Sequence, residues 1–320
     1  MSSSKSPLNF DGQQFFIGLD VHKKNWTVTI RSLGIELTTF SMNPSPQELF
    51  HYLQRHYPHG CYDSVYEAGF CGFWIHRELE KLGVHNRLIN PADVPTTGKE
   101  KSGKNDKIDS RKLARELENG SLTAIYVPDD FHLQLRSFCR LRYRASQNQT
   151  RVKNRIKGFL AFYGHPLPRR DEMSHWSGQF IRWLRALEIA YGPGQEYLNL
   201  CLDELENHRR RLTTIMRSLR YYCRNFKLQE QVDYIESVKG IGFVTAITLY
   251  TEIIDRHRFK TLDELASFVG FVPSVYASGD QETTLGLTFR RNRYLRHLLV
   301  EAAWIAVRKD PALTQAYSGA

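Results

Sequence analysis

The chain has 320 residues, 41% of them hydrophobic and 24% charged, proportions that fit a folded globular protein of about two domains and exclude a disordered or collagen-like chain. Lys and Arg number 44 against 34 Asp and Glu, a net charge of +10, which favours a polyanionic partner. No apolar run of about 18 residues occurs and the polar start Met1 to Leu8 lacks a signal core, so no membrane contact and a cytoplasmic location are expected.

Residues 14–41 read as three strands, 14–21, 25–32 and 35–41, joined by the short turns His22-Lys23-Lys24 and Leu33-Gly34. An antiparallel meander follows from turns that short. A helix over 46–56, a strand over 64–67, a helix over 73–82 stopped by Gly83 and a strand over 85–89 come next. Three strands followed by alternating helix and strand is the element order of an RNase H-like α/β domain.

Residues 96–105, rich in Lys, Gly and Ser, read as a basic loop, and a helix over 106–118 stops at Asn119-Gly120. From Phe131 to Phe162 the pattern is helical and basic. Between Lys99 and Lys157 stand 15 basic residues and seven acidic ones, so most of the excess positive charge lies in this segment. Phosphate contacts are assigned to Lys99, Lys101, Lys104, Lys107, Arg111, Arg151, Lys153, Arg155 and Lys157.

Leu198, Leu202, Leu205, Arg209, Leu212, Met216, Leu219 and Cys223 alternate spacings of four and three, a heptad seam interrupted at Arg209. Two accounts fit it: pairing with a second copy, or a long amphipathic helix packed within its own chain. Residues 232–311 carry further helical segments around a loop at 273–287. The expected division is 14–130, 131–231 and 232–320. The five cysteines, odd in number and without a Cys-x-x-Cys pair, read as reduced packing residues.

Four acids stand where chemistry on phosphate needs them. Asp20 interrupts an apolar strand, where an unpaired carboxylate costs several kcal/mol, and Glu67 ends the fourth strand, at the same sheet edge. Asp106 and Asp109, three apart, share a helix face. Carboxylates gathered without cationic partners repel unless a divalent ion such as Mg²⁺ neutralises them. Singly, the pair on the helix are also ordinary first-turn acids, and Glu67 is an ordinary residue before a turn. His22 reads as a turn residue, since hard Mg²⁺ prefers oxygen.

Two further motifs stand in the last third. Lys239-Gly240-Ile241-Gly242 resembles the hairpin of a helix-hairpin-helix, in which backbone N–H groups of Gly240 and Gly242 approach a phosphate beside Lys239; a plain turn between packed helices is the alternative. Ser278-Gly279 precedes Arg290, Arg291, Arg293 and Arg296. A serine there could be a nucleophile whose target phosphate the arginines hold, although a Ser-Gly pair in a loop is ordinarily a turn.

Ile17-Gly18-Leu19-Asp20-Val21-His22-Lys23, Tyr66-Glu67-Ala68-Gly69 and Lys104-Asn105-Asp106-Lys107-Ile108-Asp109-Ser110-Arg111 together resemble the DEDD insertion-sequence transposases, relatives of the Piv DNA invertases and the bridge-RNA-guided recombinases. Val238-Lys239-Gly240-Ile241-Gly242, Tyr276-Ala277-Ser278-Gly279 and Asn292-Arg293-Tyr294-Leu295-Arg296 continue the resemblance in family order. Two stretches depart from it: Phe289-Arg290-Arg291-Asn292 replaces a frequent Lys-x-Gly-Asn, and residues 280–287 lack basic side chains.

The resemblance implies a RuvC-like N-terminal catalytic domain with Asp20, Glu67, Asp106 and Asp109 binding Mg²⁺ or Mn²⁺. It implies a coiled-coil dimerisation region and a mainly α C-terminal transposase domain whose Ser278 forms a covalent phosphoserine link. Its implied partners are the DNA of element ends and target, a structured noncoding guide RNA and further copies of the chain, at the bacterial nucleoid. A metal-dependent nuclease without a serine nucleophile, and a non-catalytic nucleic-acid-binding protein, are the competing readings.

Overall fold

The computed structural model describes residues 9–94, 106–278, 281–287 and 291–319, with the strands at 273–278 and 281–287 described by their backbone alone. Lys99, Lys101, Lys104 and Arg290 therefore lie outside the described residues. Packing divides the chain into two compact units, 1–127 and 128–320.

The first unit is a five-stranded mixed sheet between helices. β1 (Gln14–Val21), β2 (Trp26–Ser32) and β3 (Ile35–Met42) form the expected meander, followed by α1 (Pro46–His56), β4 (Cys61–Glu67), α2 (Trp74–Lys81), β5 (His85–Ile89) and α3 (Asp106–Glu118). The strand order is β3-β2-β1-β4-β5. β2 runs antiparallel to β1 and β3, whereas β4 runs parallel to β1 and β5 parallel to β4. β4 begins three residues before the expected start, because Cys61 to Asp63 pair with Gln14 to Phe16.

Alternation along β1 decides what each face does. Phe15, Ile17 and Leu19 are fully buried in a core with Leu49 and Leu53 of α1 and Ile75 and Leu79 of α2. Phe16, Gly18 and Asp20 therefore face the opposite side, where Val65, Ile89, Leu113 and Leu117 form a second core under α3. α3 is fastened to this face at both ends. Arg111 Nε donates to Glu36 of β3 at 2.9 Å, and Arg31 Nε of β2 donates to Glu118 at 2.7 Å.

The second unit is mostly helical: α4 (Asp130–Phe162), α5 (Gly178–Ala186), α6 (Gly192–Asn225), α7 (Gln229–Glu236), α8 (Phe243–Ile253), α9 (Leu262–Val269), β6 (Pro273–Ser278), β7 (Gln281–Leu287), α10 (Arg293–Lys309) and α11 (Pro311–Ser318). α4 and α6 lie along one another in opposite directions. The first half of α4 (Leu135, Cys139, Ala145) packs on the last half of α6 (Ile215, Leu219, Cys223), with Val232 of α7 and Phe243, Ala246 and Ile247 of α8. The second half of α4 (Val152, Ile156, Leu160) packs on Leu198, Leu202 and Leu205 of α6 and on α5.

Of the two accounts of the heptad seam, packing within the chain describes most of it: Leu198, Leu202, Leu205, Leu219 and Cys223 are buried against α4 and its neighbours, with Leu212 and Met216 partly buried beside them. A seven-residue repeat reports that a stripe is covered, not by what. Arg209 breaks the seam because its guanidinium turns aside to the Trp176 carbonyl. The presumed loop at 273–287 is instead an antiparallel hairpin, with Val275 opposite Thr284 and Ser278 opposite Gln281 as the last pair of β6. Two residues separate these strands, and the branched and aromatic residues Val275, Tyr276, Thr283 and Thr284 favour extended backbone.

The core shared by α4, α6, α7 and α8 runs across residues 231 and 232. Cys139, Cys201 and Cys223 are buried and unpaired in these helical cores, while Cys61 is exposed. No described helix is long and apolar enough to cross a membrane.

Candidate active site

Leu19 of β1 pairs in parallel register with Tyr66 of β4, so Asp20 and Glu67, each one residue further on, stand at the same level of the sheet. Strand alternation puts both on the α3 face. The acids of α3 reach this level because the helix lies unusually close to β1. A Cβ built on Gly18 would stand 2.1 Å from the Ser110 carbonyl oxygen and 2.5 Å from the Ala114 nitrogen, both backbone atoms of α3. Only glycine permits that approach.

A buried hydroxyl contact sets the helix's position along the sheet. Thr29, registered opposite Gly18, has its Oγ1 2.8 Å from Ser110 Oγ and 2.9 Å from Thr39 Oγ1. Ser110 Oγ also lies within donating distance of the Lys107 carbonyl, at 3.2 Å. Sequence reasoning passed over Gly18, Thr29 and Ser110 as site-building residues. The signal was present in small and hydroxyl residues at alternate positions of apolar strands, on the face that carries Asp20.

At the edge so formed, the His22 ring lies between two of the acids. Its Nε2 is 3.2 Å from Asp20 Oδ2 and 3.7 Å from Asp106 Oδ1. His22 is a turn residue as expected, its backbone N–H donating to the Asn25 carbonyl, and its side chain also joins the cluster. Period-2 spacing from Asp20 is the signal that would have placed it there. Ligand atoms of Asp20, His22 and Asp106 all lie within 4.8 Å of one another. Asp109 is half-buried one turn along α3.

The Asp20 carboxyl is held above the usual carboxylate range, first by burial and also by the negative charge of Asp106 and Asp109, against the opposing pull of His22. That imbalance is the test of fit for a cation: a half-buried carboxylate repelled by two others is relieved by a divalent ion, and the oxygen-rich donor set suits a hard one. A pKa raised by folding means that ionised Asp20 costs the folded protein stability above that pKa. The cost vanishes below the ordinary carboxylate value of about 3.9. Without divalent cation, Asp20→Asn should therefore melt at or above the wild-type temperature at pH 7, with the gap closing as pH falls below about 4. A wild type that melts several degrees higher at pH 7 would make Asp20 a paired structural acid.

The basic positions fall into distinct settings. Lys107 is exposed in the first turn of α3, whereas the charge of Arg111 is engaged by Glu36. On α4, Arg155 pairs with Glu204 at 2.7 Å, Arg151 reaches Asn148, and the Lys153 and Lys157 ammonium groups sit over the Trp176 ring. Arg291 and Arg293 are exposed at the start of α10.

Lys239 is exposed in the turn before α8, with Gly242 as its N-cap. Gly240 has a constraint of its own: φ is +91°, and a Cβ there would lie 2.4 Å from the Ala302 carbonyl oxygen of α10. Close helix packing accounts for that glycine.

One carboxylate ties together three helices of the second unit. Glu252 of α8, 1% exposed, accepts from Arg140 Nε and Nη2 of α4 at 2.7 and 2.8 Å. It also accepts from Asn292 Nδ2 at 2.8 Å. Asn292 is in turn the N-cap of α10, its Oδ1 accepting from the Tyr294 and Leu295 amides.

Comparison with known proteins identifies the family. Residues 17–165 match the model of DEDD transposases of the IS110 type, and residues 232–318 match that of the IS116/IS110/IS902 transposase family. A putative transposase y4qE of Sinorhizobium fredii is 24% identical over 92% of this chain and 72% of its own length. The transposase for insertion sequence element IS1111A of Coxiella burnetii is 28% identical over 76% of this chain and 65% of its own. The transposase for IS1533 of Leptospira borgpetersenii is 22% identical over 91% and 85%. The first match spans all four acids and the second runs from α7 to α11; with both in order over most of its length, the chain belongs to the DEDD insertion-sequence transposase family, whose members are DNA transposases.

Proposed function

We propose that the chain cuts and rejoins the DNA of an insertion element's ends and target, with Asp20, Glu67, Asp106 and Asp109 holding Mg²⁺ or Mn²⁺ and Ser278 as nucleophile. The observation that carries this reading is the convergence of Asp20 and Asp106 at one sheet edge. The strand order, with three antiparallel strands followed by two parallel ones, supports an RNase H-like, RuvC-like classification of the first unit.

A bound divalent ion would supply positive charge for the scissile phosphate. The protein's own part is to hold the carboxylates in one place, Asp20 from β1, Glu67 from β4 and the other two from α3. Ser278 ends β6, paired with Gln281 at the start of β7. Attack by its hydroxyl oxygen forms an O–P bond as the bond to one sugar oxygen breaks. The serine proton is released, the departing oxygen takes one up, and the strand remains as a phosphoserine ester. Attack on that ester by another strand's hydroxyl reverses the exchange and rejoins DNA. A structured noncoding RNA as guide, and assembly into homo-oligomers, belong to the same reading.

End-labelled DNA on a denaturing gel tests it. Ser278→Ala should lose all protein-linked DNA, and Asp106→Ala should lose cleavage while still folding and binding DNA. Ser278→Ala that still cuts would make the chain a metal-dependent nuclease that uses water. Activity regained on mixing the two inactive proteins would support an oligomer in which acids and serine act from different copies. Structured RNA that fails to outcompete duplex DNA of equal length would count against the guide.

A further inference from the structure

Most of the arginines on α4 have a visible counter-charge or acceptor. Arg136 and Arg140 lie against Glu252, and Arg155 against Glu204. Arg142 is different. Its Nε is buried with no hydrogen-bond partner, and burial pushes its guanidinium below the usual range with no carboxylate to offset it. An unpaired buried donor on a cation is costly to keep, by more than a neutral one.

The side chain lines a groove of about 400 Å³ between α4 and α10, together with Ser146, Gln147, Thr150 and Arg151 of α4 and His297 of α10. None of the described residues lining it is acidic. All of these polar side chains can donate hydrogen bonds, and two carry fixed positive charge. A groove walled by donors, with the Arg142 and Arg151 side chains among its lining and no acid described there, fits a ligand that is all acceptors and negatively charged.

We propose that this groove is a binding site for one phosphodiester of a nucleic-acid backbone, with Arg142 and Arg151 as its charged contacts. The inference rests on the reading of the chain as a nucleic-acid enzyme, but it concerns residues other than the acids and Ser278. Duplex DNA and RNA share the phosphodiester, and the binding partner's identity is read from the experiment.

Binding of wild-type protein to duplex DNA, single-stranded DNA and RNA of equal length is measured across a salt series. Arg142→Gln should weaken binding about tenfold and reduce the salt slope by about 0.9 for duplex or 0.7 for single strands, the value for one phosphate. Thr150→Glu, on an exposed position of α4, should do the same without disturbing Arg142's packing, since it places a carboxylate in the groove. It keeps the test decisive even if Arg142→Gln fails to fold.

Arg144→Gln, exposed on the same helix and outside the groove lining, controls for loss of general charge and should change affinity much less. A loss confined to RNA or to DNA assigns the backbone, and an equal loss on both assigns the shared phosphodiester. Folded Thr150→Glu with wild-type affinity and slope, or Arg144→Gln as damaging as Thr150→Glu, overturns the site. Wild-type protein that binds none of the three overturns the transposase reading as well.

Discussion

Gly18→Ala is expected to destabilise the sheet unit by about 3 kcal/mol, the upper part of the range for overpacking a filled interior, and to reduce strand cleavage by at least about a hundredfold. The added methyl would meet the Ser110 carbonyl oxygen and the Ala114 nitrogen of α3. Neither is a flexible side-chain tip that could swing away, so the helix itself must move outward. A shift of about an ångström at Gly18 carries Asp106 and Asp109 with it, and misplacement on that scale costs about two orders of magnitude in rate. The unfolding midpoint should drop by 10 °C or more at about 4–8 °C per kcal/mol for a unit of this size.

A control separates packing from hydrogen bonding. Thr29→Val combined with Ser110→Ala removes both hydroxyls of the buried contact and should cost much less, because no donor is left unpaired. A Gly18→Ala protein that melts within 2 °C of wild type and still cuts DNA would show that α3 is not seated on β1 at that point.

Glu252→Ala should be the most damaging single change in the second unit, lowering stability by about 3 kcal/mol, the low end for breaking a buried ion pair because Arg140 can partly rehydrate. That corresponds to a fall of about 6–12 °C in midpoint. The carboxylate joins α8 to α4 and to the cap of α10, so its loss loosens three helices together. Glu252→Gln keeps an acceptor for Asn292 or Arg140 and should recover part of the loss. Equal melting of Glu252→Ala and wild type would reduce this arrangement to an ornament of the folded state.

The first unit was legible almost element by element. Its strands alternate cleanly, its turns are short and polar, and Asp20 is conspicuous as a charge in an apolar strand. His22 was discounted on ion preference alone, although its spacing from Asp20 put it on the same face. The second unit was harder to read for a physical reason. A repeat such as Leu198 to Cys223 encodes a covered stripe, and α4, also amphipathic but basic and irregular, gave little sign of being its partner. Glu252, one glutamate in an otherwise apolar segment, becomes recognisable only when Arg140 and Asn292, both distant in sequence, are placed beside it. The hairpin of Ser278 was hidden because turn-forming residues, Pro273, Ser274, Ser278, Gly279 and Asp280, interrupt the branched and aromatic ones that favour strands.

The long α4–α6 pair has its apolar contacts in two blocks, with buried α4 positions skipping from Ala145 to Val152 and those of α6 from Leu205 to Ile215. Between the blocks stand polar side chains such as Asn148 and His208. Cooperativity is carried by continuous apolar contact, so the outer block with α5 and the inner block with α7 and α8 are expected to melt separately on a shared pair of helices, each with its own amide-exchange midpoint. Amide exchange is therefore expected to be faster in the outer block than in the inner one, which Glu252 ties to α4 and to the cap of α10. A pair of helices each about 50 Å long thus carries its apolar contact in two halves joined through a polar middle.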